Sequence, residues 1–532
     1  MKNFITLNGK KYDWFLLNTS IFYLLFPIIL FAFGWMKPGY SIIFSLLISF
    51  SAFKTSQQFD YSSYSISKKT LILISALFLI VVIWVALSGI GGFGLQSWDF
   101  HGRNAIFHDL ISHPWPVRYD YSNQPEMATL IGEQGRLVYY FAFFLPAALL
   151  GKFLGWFAAN IFLYIWTVLG IMITFLLIFR FVKRISVWIA LAFIFFSGMD
   201  FLASIGTSGT RIPEGLLIFP SAFSSIFATN QLEWWAGNIF QYSSFTTQLF
   251  NVFNQCIPAW IITLIIIQFR DLKSIWFFYS LLFLFAPFPF VGLFPFVVFK
   301  TIQLIQVKKF RALTKKQFWI DFFNKFSKNK PDWFNIQNIV GGTLIFFVSS
   351  TFLLSNAGNH EFGFIWQFQK NFGPLLFIYV TFCFLEFLIL GLVLMPLTND
   401  KNLLWITLGI LIAIPLLKYG KMNDFVMRAS IPALLILFLM TIQTLLQNQK
   451  TNFKVPISIY KIIIVVILLI GCITSLHEIR RSANSILQYT EISLVMDEWE
   501  SFNFGGYIDK MDSAKNFVVK DDPISKTPFF FK

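Results

Sequence analysis

A polar loop with a single aspartate at its start stands out in a chain that carries little charge. After an apolar stretch at about residues 70–90, the sequence reads Asp99-Phe100-His101-Gly102-Arg103. A carboxylate held at a membrane surface is partly desolvated, and this favours its use as a general base. We therefore predict that Asp99 is catalytic and that His101 and Arg103 bind substrate. The alternative is that Asp99 only caps the following helix, since aspartate is a favoured N-cap residue.

The histidines of this loop do not predict a metal site. Three of the five histidines in the chain lie here, at positions 101, 108 and 113, and their spacings of seven and five residues match no zinc pattern. The three cysteines are far apart in sequence and form no CxxC motif. We therefore predict no zinc site and no disulfide framework.

A second acid and an aromatic loop are predicted to face the same side of the membrane as Asp99. Asp200 ends the apolar stretch at about residues 185–204 and is the second catalytic candidate. The loop 205–254 contains three aromatic side chains whose flat faces suit a sugar ring, namely Trp234, Trp235 and Tyr242. The alternatives are that Asp200 only ends its helix and that the tryptophans only anchor the loop at the lipid headgroups.

Two basic residues in a later turn are candidates for binding a phosphate. Lys421 and Arg428 lie just before another apolar stretch, where they would reach headgroup depth. Arginine can bind a phosphate through two parallel hydrogen bonds, and lysine can bind it as a point charge. The alternative is that both are ordinary charges flanking a membrane span.

Glu386 differs from these residues because it lies well inside an apolar stretch. Placing a carboxylate at the centre of a membrane helix costs at least ~2.5 kcal/mol on insertion scales, so Glu386 should be neutral or paired. An ionisable residue at this depth is a functional candidate by default. It is the best argument in the sequence for a transporter.

The composition identifies a membrane protein. Of the 532 residues, 56% are hydrophobic and 13% are charged, about half the charged fraction of a soluble domain. The net charge of +15 comes from basic residues in short loops, which is the cytoplasmic bias of membrane proteins. We therefore predict a lipid bilayer as partner and no binding to nucleic acid.

Apolar stretches of spanning length recur along the chain and predict an all-α bundle with about thirteen crossings. Residues 1–475 form the predicted membrane domain, with a cytoplasmic N-terminus and external loops at 91–136 and 205–254. In the first loop Ala105, Ile106, Leu110 and Ile111 recur at helical spacing, which predicts an external helix lying in the membrane interface. Residues 476–532 are the predicted external tail, with a strand-like patch at 517–519. Residues 137–151 either cross the membrane or re-enter it with a break at Pro146. We favour re-entry, because it places the basic residues 180–184, Arg270 and Lys273 inside, although it requires a tight helical hairpin at about 275–306.

The layout resembles that of the GT-C class of polytopic glycosyltransferases. The matching features are Asp99 in a large external loop, the following Tyr139-Tyr140 segment and the second external acid, Asp200. The resemblance implies that Asp99 is the catalytic base and that Arg428 contacts the donor phosphate. In the family the acidic loop follows the first span, whereas here it follows the third. The loop has one acid rather than a pair, so a divalent cation remains an open question. The chain also resembles bacterial multi-pass proteins without an assigned function.

These features predict a membrane glycosyltransferase of the cell envelope. It would transfer a sugar from a polyprenyl-phosphate donor to an acceptor on the outer face of a bacterial cell membrane. Two alternatives come from other classes. One is a transporter or flippase of lipid-linked saccharides with Glu386 on its path. The other is a non-catalytic scaffold that uses its external tail for binding.

Overall fold

The computed structural model is a bundle of helices with two small sheets. The described residues are 13–58, 68–96, 98–202, 232–235, 239–305, 320, 323–324, 327–328, 330–356, 362–368, 372–420, 423–447, 456–488, 517–521 and 529–532. Lys421 lies outside these ranges, and so does most of the predicted loop 205–254.

The helices vary widely in length. The α-helices are α1 (Asp13–Trp35), α2 (Pro38–Ser56), α3 (Lys68–Leu87), α4 (Trp98–Ser112), α5 (Pro125–Leu130), α6 (Leu145–Val182), α7 (Val187–Ile194), α8 (Phe245–Gln268), α9 (Ile275–Leu281), α10 (Pro287–Leu304), α11 (Lys330–Trp333), α12 (Thr343–Leu354), α13 (Phe372–Cys383), α14 (Ile389–Leu394), α15 (Lys401–Ala413), α16 (Asp424–Ala429), α17 (Ile431–Leu446) and α18 (Ile457–Gln488). Two π-helical segments, Gln337–Gly342 and Phe384–Leu388, precede α12 and join α13 to α14.

Within the described residues, nine helical segments are long and apolar enough to cross a membrane. A helix satisfies its own backbone hydrogen bonds, which is why such apolar stretches become helices in lipid. The multi-pass helical character is therefore confirmed, whereas the count of about thirteen crossings is not. The apolar stretch at 403–419, predicted to cross, is too short to qualify, because the helix there covers only Lys401–Leu416.

The loop after α3 contains the helix that its apolar spacing predicts. Helix α4 buries Ala105, Ile106 and Leu110 on one face, which packs against α6. Asp99 lies in the first turn of this helix. It is therefore inside the helix rather than at the capping position before it.

The segment after α4 breaks at Gly155 and not at Pro146 as predicted. Pro146 lies in the first turn of α6, where a proline is tolerated because no backbone N–H is needed there. Gly155 has φ +82° and ψ −179°, a conformation that requires glycine. The ten residues before it form a half-helix of about 15 Å, too short to cross. This half-helix lies under α4, where Lys152 Nζ is 3.2 Å from the Ile111 carbonyl oxygen.

The C-terminal segment covers the same end of the bundle as α4, an end that we call the cap end. Strands β1 (Arg118–Asp120), β2 (Gln134–Leu137) and β5 (Val518–Lys520) form an antiparallel sheet in the order β1-β2-β5. Phe531 also pairs with Met36 at the end of α1. The strand-like patch at 517–519 is thus a real strand that pairs with the loop. Helix α18 continues past the predicted boundary at 476.

The opposite end of the bundle collects basic residues, and we call it the basic end. Arg180 donates to Gln268 Oε1 at 2.6 Å, and Lys273 lies 3.9 Å from the carboxylate of Asp332. Thr55, at the end of α2, contacts Ser274 at 3.2 Å. This arrangement agrees with the predicted re-entrant topology. Which end faces the cytoplasm stays a prediction.

The predicted helical hairpin forms between α9 and α10. Helix α9 spans only seven residues, and the Tyr279 hydroxyl donates to the Phe290 carbonyl oxygen at 2.8 Å across the turn.

The second small sheet pairs β3 (Phe362–Phe364) with β4 (Leu417–Tyr419). The predicted loop 205–254 ends earlier than expected, because buried helix α8 already begins at Phe245.

Candidate functional site

The first polar site lies at the cap end around Asp99. Asp99 Oδ2 is 3.1 Å from Arg103 Nη2, four residues further along α4. The Asp99 side chain is 49% exposed, whereas that of Arg103 is only 8% exposed. The guanidinium of Arg103 lies 5.4 Å from the ring centre of Phe100 and 5.8 Å from that of Phe253. The carboxylate of Asp99 is therefore accessible, whereas the guanidinium of Arg103 is buried near the rings of Phe100 and Phe253.

Arg428 joins this site from the other half of the chain. Its Nη2 is 3.0 Å from Asp424 Oδ2, one turn earlier on α16, and its Nη1 donates to the Tyr140 hydroxyl. Arg428 is also within electrostatic reach of Asp99. The two residues that the sequence assigns to a base and a phosphate contact therefore lie within electrostatic range of each other.

The tyrosine pair between the two arginines completes the site. Burial and the neighbouring Tyr140 raise the pKa of Tyr139, and the positive charges of Arg428 and Arg103 partly oppose that increase. The rings of Tyr139 and Tyr140 lie 3.8 Å apart between their centres. Both arginines keep one buried nitrogen without a hydrogen-bond partner, Nη1 in Arg103 and Nε in Arg428. The site therefore has unused donors for an anionic group.

His101 lies on α4 close to this site. Partial burial lowers its pKa, which favours the neutral imidazole. A neutral ring can accept or donate a hydrogen bond but brings no charge to a phosphate.

The second polar site is a carboxyl cluster inside the bundle, formed by Asp200, Glu233 and Glu386. The segments of Asp200 and Glu386 lie against each other, since the Met199 N–H donates to the Leu385 carbonyl oxygen at 3.3 Å, and Glu233 lies close enough to both acids for electrostatic interaction. All three residues are buried. The structure does not place Asp200 on the outer face with Asp99: Asp200 is fully buried, and among the described residues its hydrogen bonds come from Ser197, Trp235 and Thr474. Helix α7 is short, and the chain after it turns into the bundle.

The aromatic residues predicted to bind a sugar divide between surface and interior. Trp234 is 47% exposed. Trp235 is buried and donates its indole N–H to Asp200 Oδ1 at 3.0 Å. Tyr242 is also buried, and its hydroxyl donates to the Leu411 carbonyl oxygen at 2.5 Å. Of the three, Trp234 alone offers an open ring face.

Glu233 is a functional candidate that sequence reasoning missed. Its Oε1 accepts from the Ser244 backbone N–H at 2.9 Å and from the Thr247 hydroxyl at 2.7 Å. Burial and the nearby Asp200 raise the pKa of Glu233 to about 8. The available signal was its place beside two tryptophans in a polar-aromatic run, but that run was interpreted as a surface loop.

Metal binding has no support from side-chain arrangement in the part of the chain that the structure describes. No group of three or more His, Cys, Asp or Glu residues there is placed to hold a metal ion.

No protein-family model, curated protein or solved structure matches this chain. Function must therefore be inferred from the two polar sites and the bundle that holds them.

Proposed function

We propose that this protein is a membrane glycosyltransferase of the GT-C type that acts at its cap end. It would transfer a sugar from a polyprenyl-phosphate donor to an acceptor of the cell envelope. The observation that carries the proposal is that Arg428 lies within electrostatic range of Asp99, which pairs with Arg103, although α4 and α16 lie in opposite halves of the chain. Such a site combines an open carboxylate with two arginines at the edge of an apolar bundle.

The proposed reaction uses each of these groups once. Asp99 accepts the proton of the acceptor hydroxyl as the oxygen bonds to the anomeric carbon of the sugar. The bond from that carbon to the phosphate oxygen breaks, and the polyprenyl phosphate leaves with the electron pair. The N–H groups of Arg103 and Arg428 that have no protein partner stabilise the charge on the leaving phosphate.

The test is an Asp99→Asn variant of the full chain in nanodiscs. Purified protein is incubated with radiolabelled polyprenyl-phosphate hexoses and envelope glycan acceptors, and the labelled product is counted. We expect a loss of about 10²–10⁴-fold, the usual contribution of a general base. Full activity in this variant would refute the mechanism.

The matched control is Asp332→Asn. Asp332 is also a partly exposed aspartate paired with a basic residue, with 40% of its side chain exposed, but it lies at the basic end. Its variant should keep full activity. Equal losses in both variants would point to a general effect on the protein rather than to a catalytic base.

A transporter of lipid-linked saccharides is the second candidate, favoured by the broken helices of the bundle. Helix α9 stops after seven residues, α6 breaks at Gly155, and α8 departs from helical geometry at Val252. Discontinuous helices near the membrane midplane commonly form transporter sites. Movement of a fluorescent lipid-linked sugar across liposomes, with no change in its chemistry, would favour this candidate over the enzyme.

A further inference from the structure

The carboxyl cluster is held together by hydrogen bonds from four parts of the chain. Asp200 Oδ1 accepts from the indole of Trp235, and Oδ2 lies 3.3 Å from the hydroxyls of both Ser197 and Thr474. Glu386 reaches this group from the π-helical segment between α13 and α14. The approach is tight, since a Cβ at position 198 would stand 1.9 Å from Glu386 Oε2. A glycine at this position lets the two carboxyl groups meet.

Two buried carboxyl groups brought this close, Asp200 and Glu386, can share a hydrogen bond only if one of them carries a proton. An ionised carboxylate only accepts hydrogen bonds, so two ionised carboxylates cannot hydrogen-bond each other. They would also repel each other in a site with little water. A pair of this kind binds and releases its protons as one unit.

A separate observation indicates that Glu233 needs a proton as well as the Asp200–Glu386 pair. Glu233 Oε2 is buried without a hydrogen-bond partner, and so is Glu386 Oε1, in residues that are only 2% and 6% exposed. Leaving a charged oxygen buried and unpaired is costly, whereas a protonated one is neutral.

Among the described residues, acidic and neutral groups dominate the surroundings of the cluster. Over the described ranges, no lysine or arginine forms an ion pair with any of its three acids. The other titratable groups described around the cluster include Glu478, Tyr242 and, beside Tyr242, Tyr379 and Cys383; His477 is also buried, one turn from Thr474 on α18. Glu478 has its own partner, with both oxygens 2.9 Å from Arg481 Nη1. Protonation is therefore the means by which the described geometry can neutralise the buried negative charge of the cluster.

We propose that Asp200, Glu233 and Glu386 form a proton-binding site that fastens the segment 232–235 into the bundle. The Asp200–Glu386 pair shares one proton, and Glu233 holds a second. Because Trp235 and Glu233 both belong to this segment, release of the protons leaves buried like charges facing it and drives it outward. The site is independent of the proposed transferase chemistry at the cap end.

The test is infrared spectroscopy of the full chain in nanodiscs at pH 7. A protonated carboxyl group gives a C=O stretching band that an ionised carboxylate does not give. We expect this band in the unsubstituted protein, with a shift in D₂O, and its loss as the pH is raised. Absence of the band at pH 7 would overturn the proposal, and this measurement needs no variant to fold.

Variants assign the band to the cluster. Asp200→Asn and Glu386→Gln should each remove part of it, while Glu126→Gln, a change at an exposed residue, should leave it intact. A band that survives both cluster substitutions would overturn the assignment. Loss of the band on adding Na⁺ at constant pH would identify a cation site instead, and would also refute the proposal.

Discussion

Replacing Glu233 by glutamine should flatten the dependence of stability on pH. The pKa of Glu233 is about 8 in the folded protein, compared with an ordinary value of 4.5. Between these values the folded protein keeps a proton that the unfolded chain has lost. The free energy of unfolding therefore falls as the pH rises through this window, with the full contribution present below pH 4.5 and lost by about pH 8.

The size of the effect follows from the same two values. At 1.36 kcal/mol for each pH unit, the difference corresponds to at most about 5 kcal/mol. Interaction with Asp200 and Glu386 spreads this amount over the cluster. Glutamine stays neutral and can keep the contacts of Oε1 with Ser244 and Thr247. The variant should therefore be as stable as the unsubstituted protein at pH 5 and more stable at pH 8.

The assay is denaturant unfolding in detergent at pH 5, 6.5 and 8, followed by tryptophan fluorescence. Glu126→Gln is the control, since that glutamate is exposed and should not alter the pH profile. The reasoning is wrong if Glu233→Gln has the same pH profile as the unsubstituted protein. It is also wrong if the variant is less stable at pH 8.

Three further changes test other parts of the structure. Arg428→Lys should weaken donor binding at least tenfold in KM, because lysine cannot contact Asp424 and a phosphate with the same planar group; an unchanged KM in a donor titration would refute this. Gly155→Ala should destabilise the fold by about 1–3 kcal/mol through backbone strain alone, since nothing lies within 4 Å of the added Cβ. The control is Gly409→Ala, at a position on a regular helix where the added Cβ also has nothing within 4 Å, and this variant should be neutral or stabilising by up to about 1 kcal/mol. Equal unfolding midpoints for the two alanine variants would contradict the assignment of strain to Gly155. Val518→Ala should cost about 2 kcal/mol by removing a 2% exposed side chain from the sheet that β5 forms with β2, and unchanged proteolysis of the tail would argue against that packing.

Part of the cap-end site was predictable from local spacing. Asp99 and Arg103 are four residues apart, so a helix over this loop places them side by side. Asp424 and Arg428 have the same spacing, so the same local argument applies to them. Nothing local indicated that the two pairs would meet, because that depends on how α4 and α16 pack.

The carboxyl cluster was harder to predict for the same reason. Glu386 was expected to be neutral or paired, since a lone charge at that depth is costly. Its partner, Asp200, was assigned instead to the outer face because it follows an apolar stretch that was expected to cross. The structure has a short helix there that turns inward, which makes the two acids neighbours.

The sequence by itself determined that this is a multi-pass helical membrane protein, and it located most of the long helices. It did so because the cost of unsatisfied backbone groups in lipid acts on each apolar stretch independently of its neighbours. The tertiary structure alone decided where the stretches break, that the tail pairs with the loop after α4, and which polar side chains share a site. Those outcomes depend on packing between segments that are distant in sequence, and the local composition of a segment does not specify which other segment it will contact.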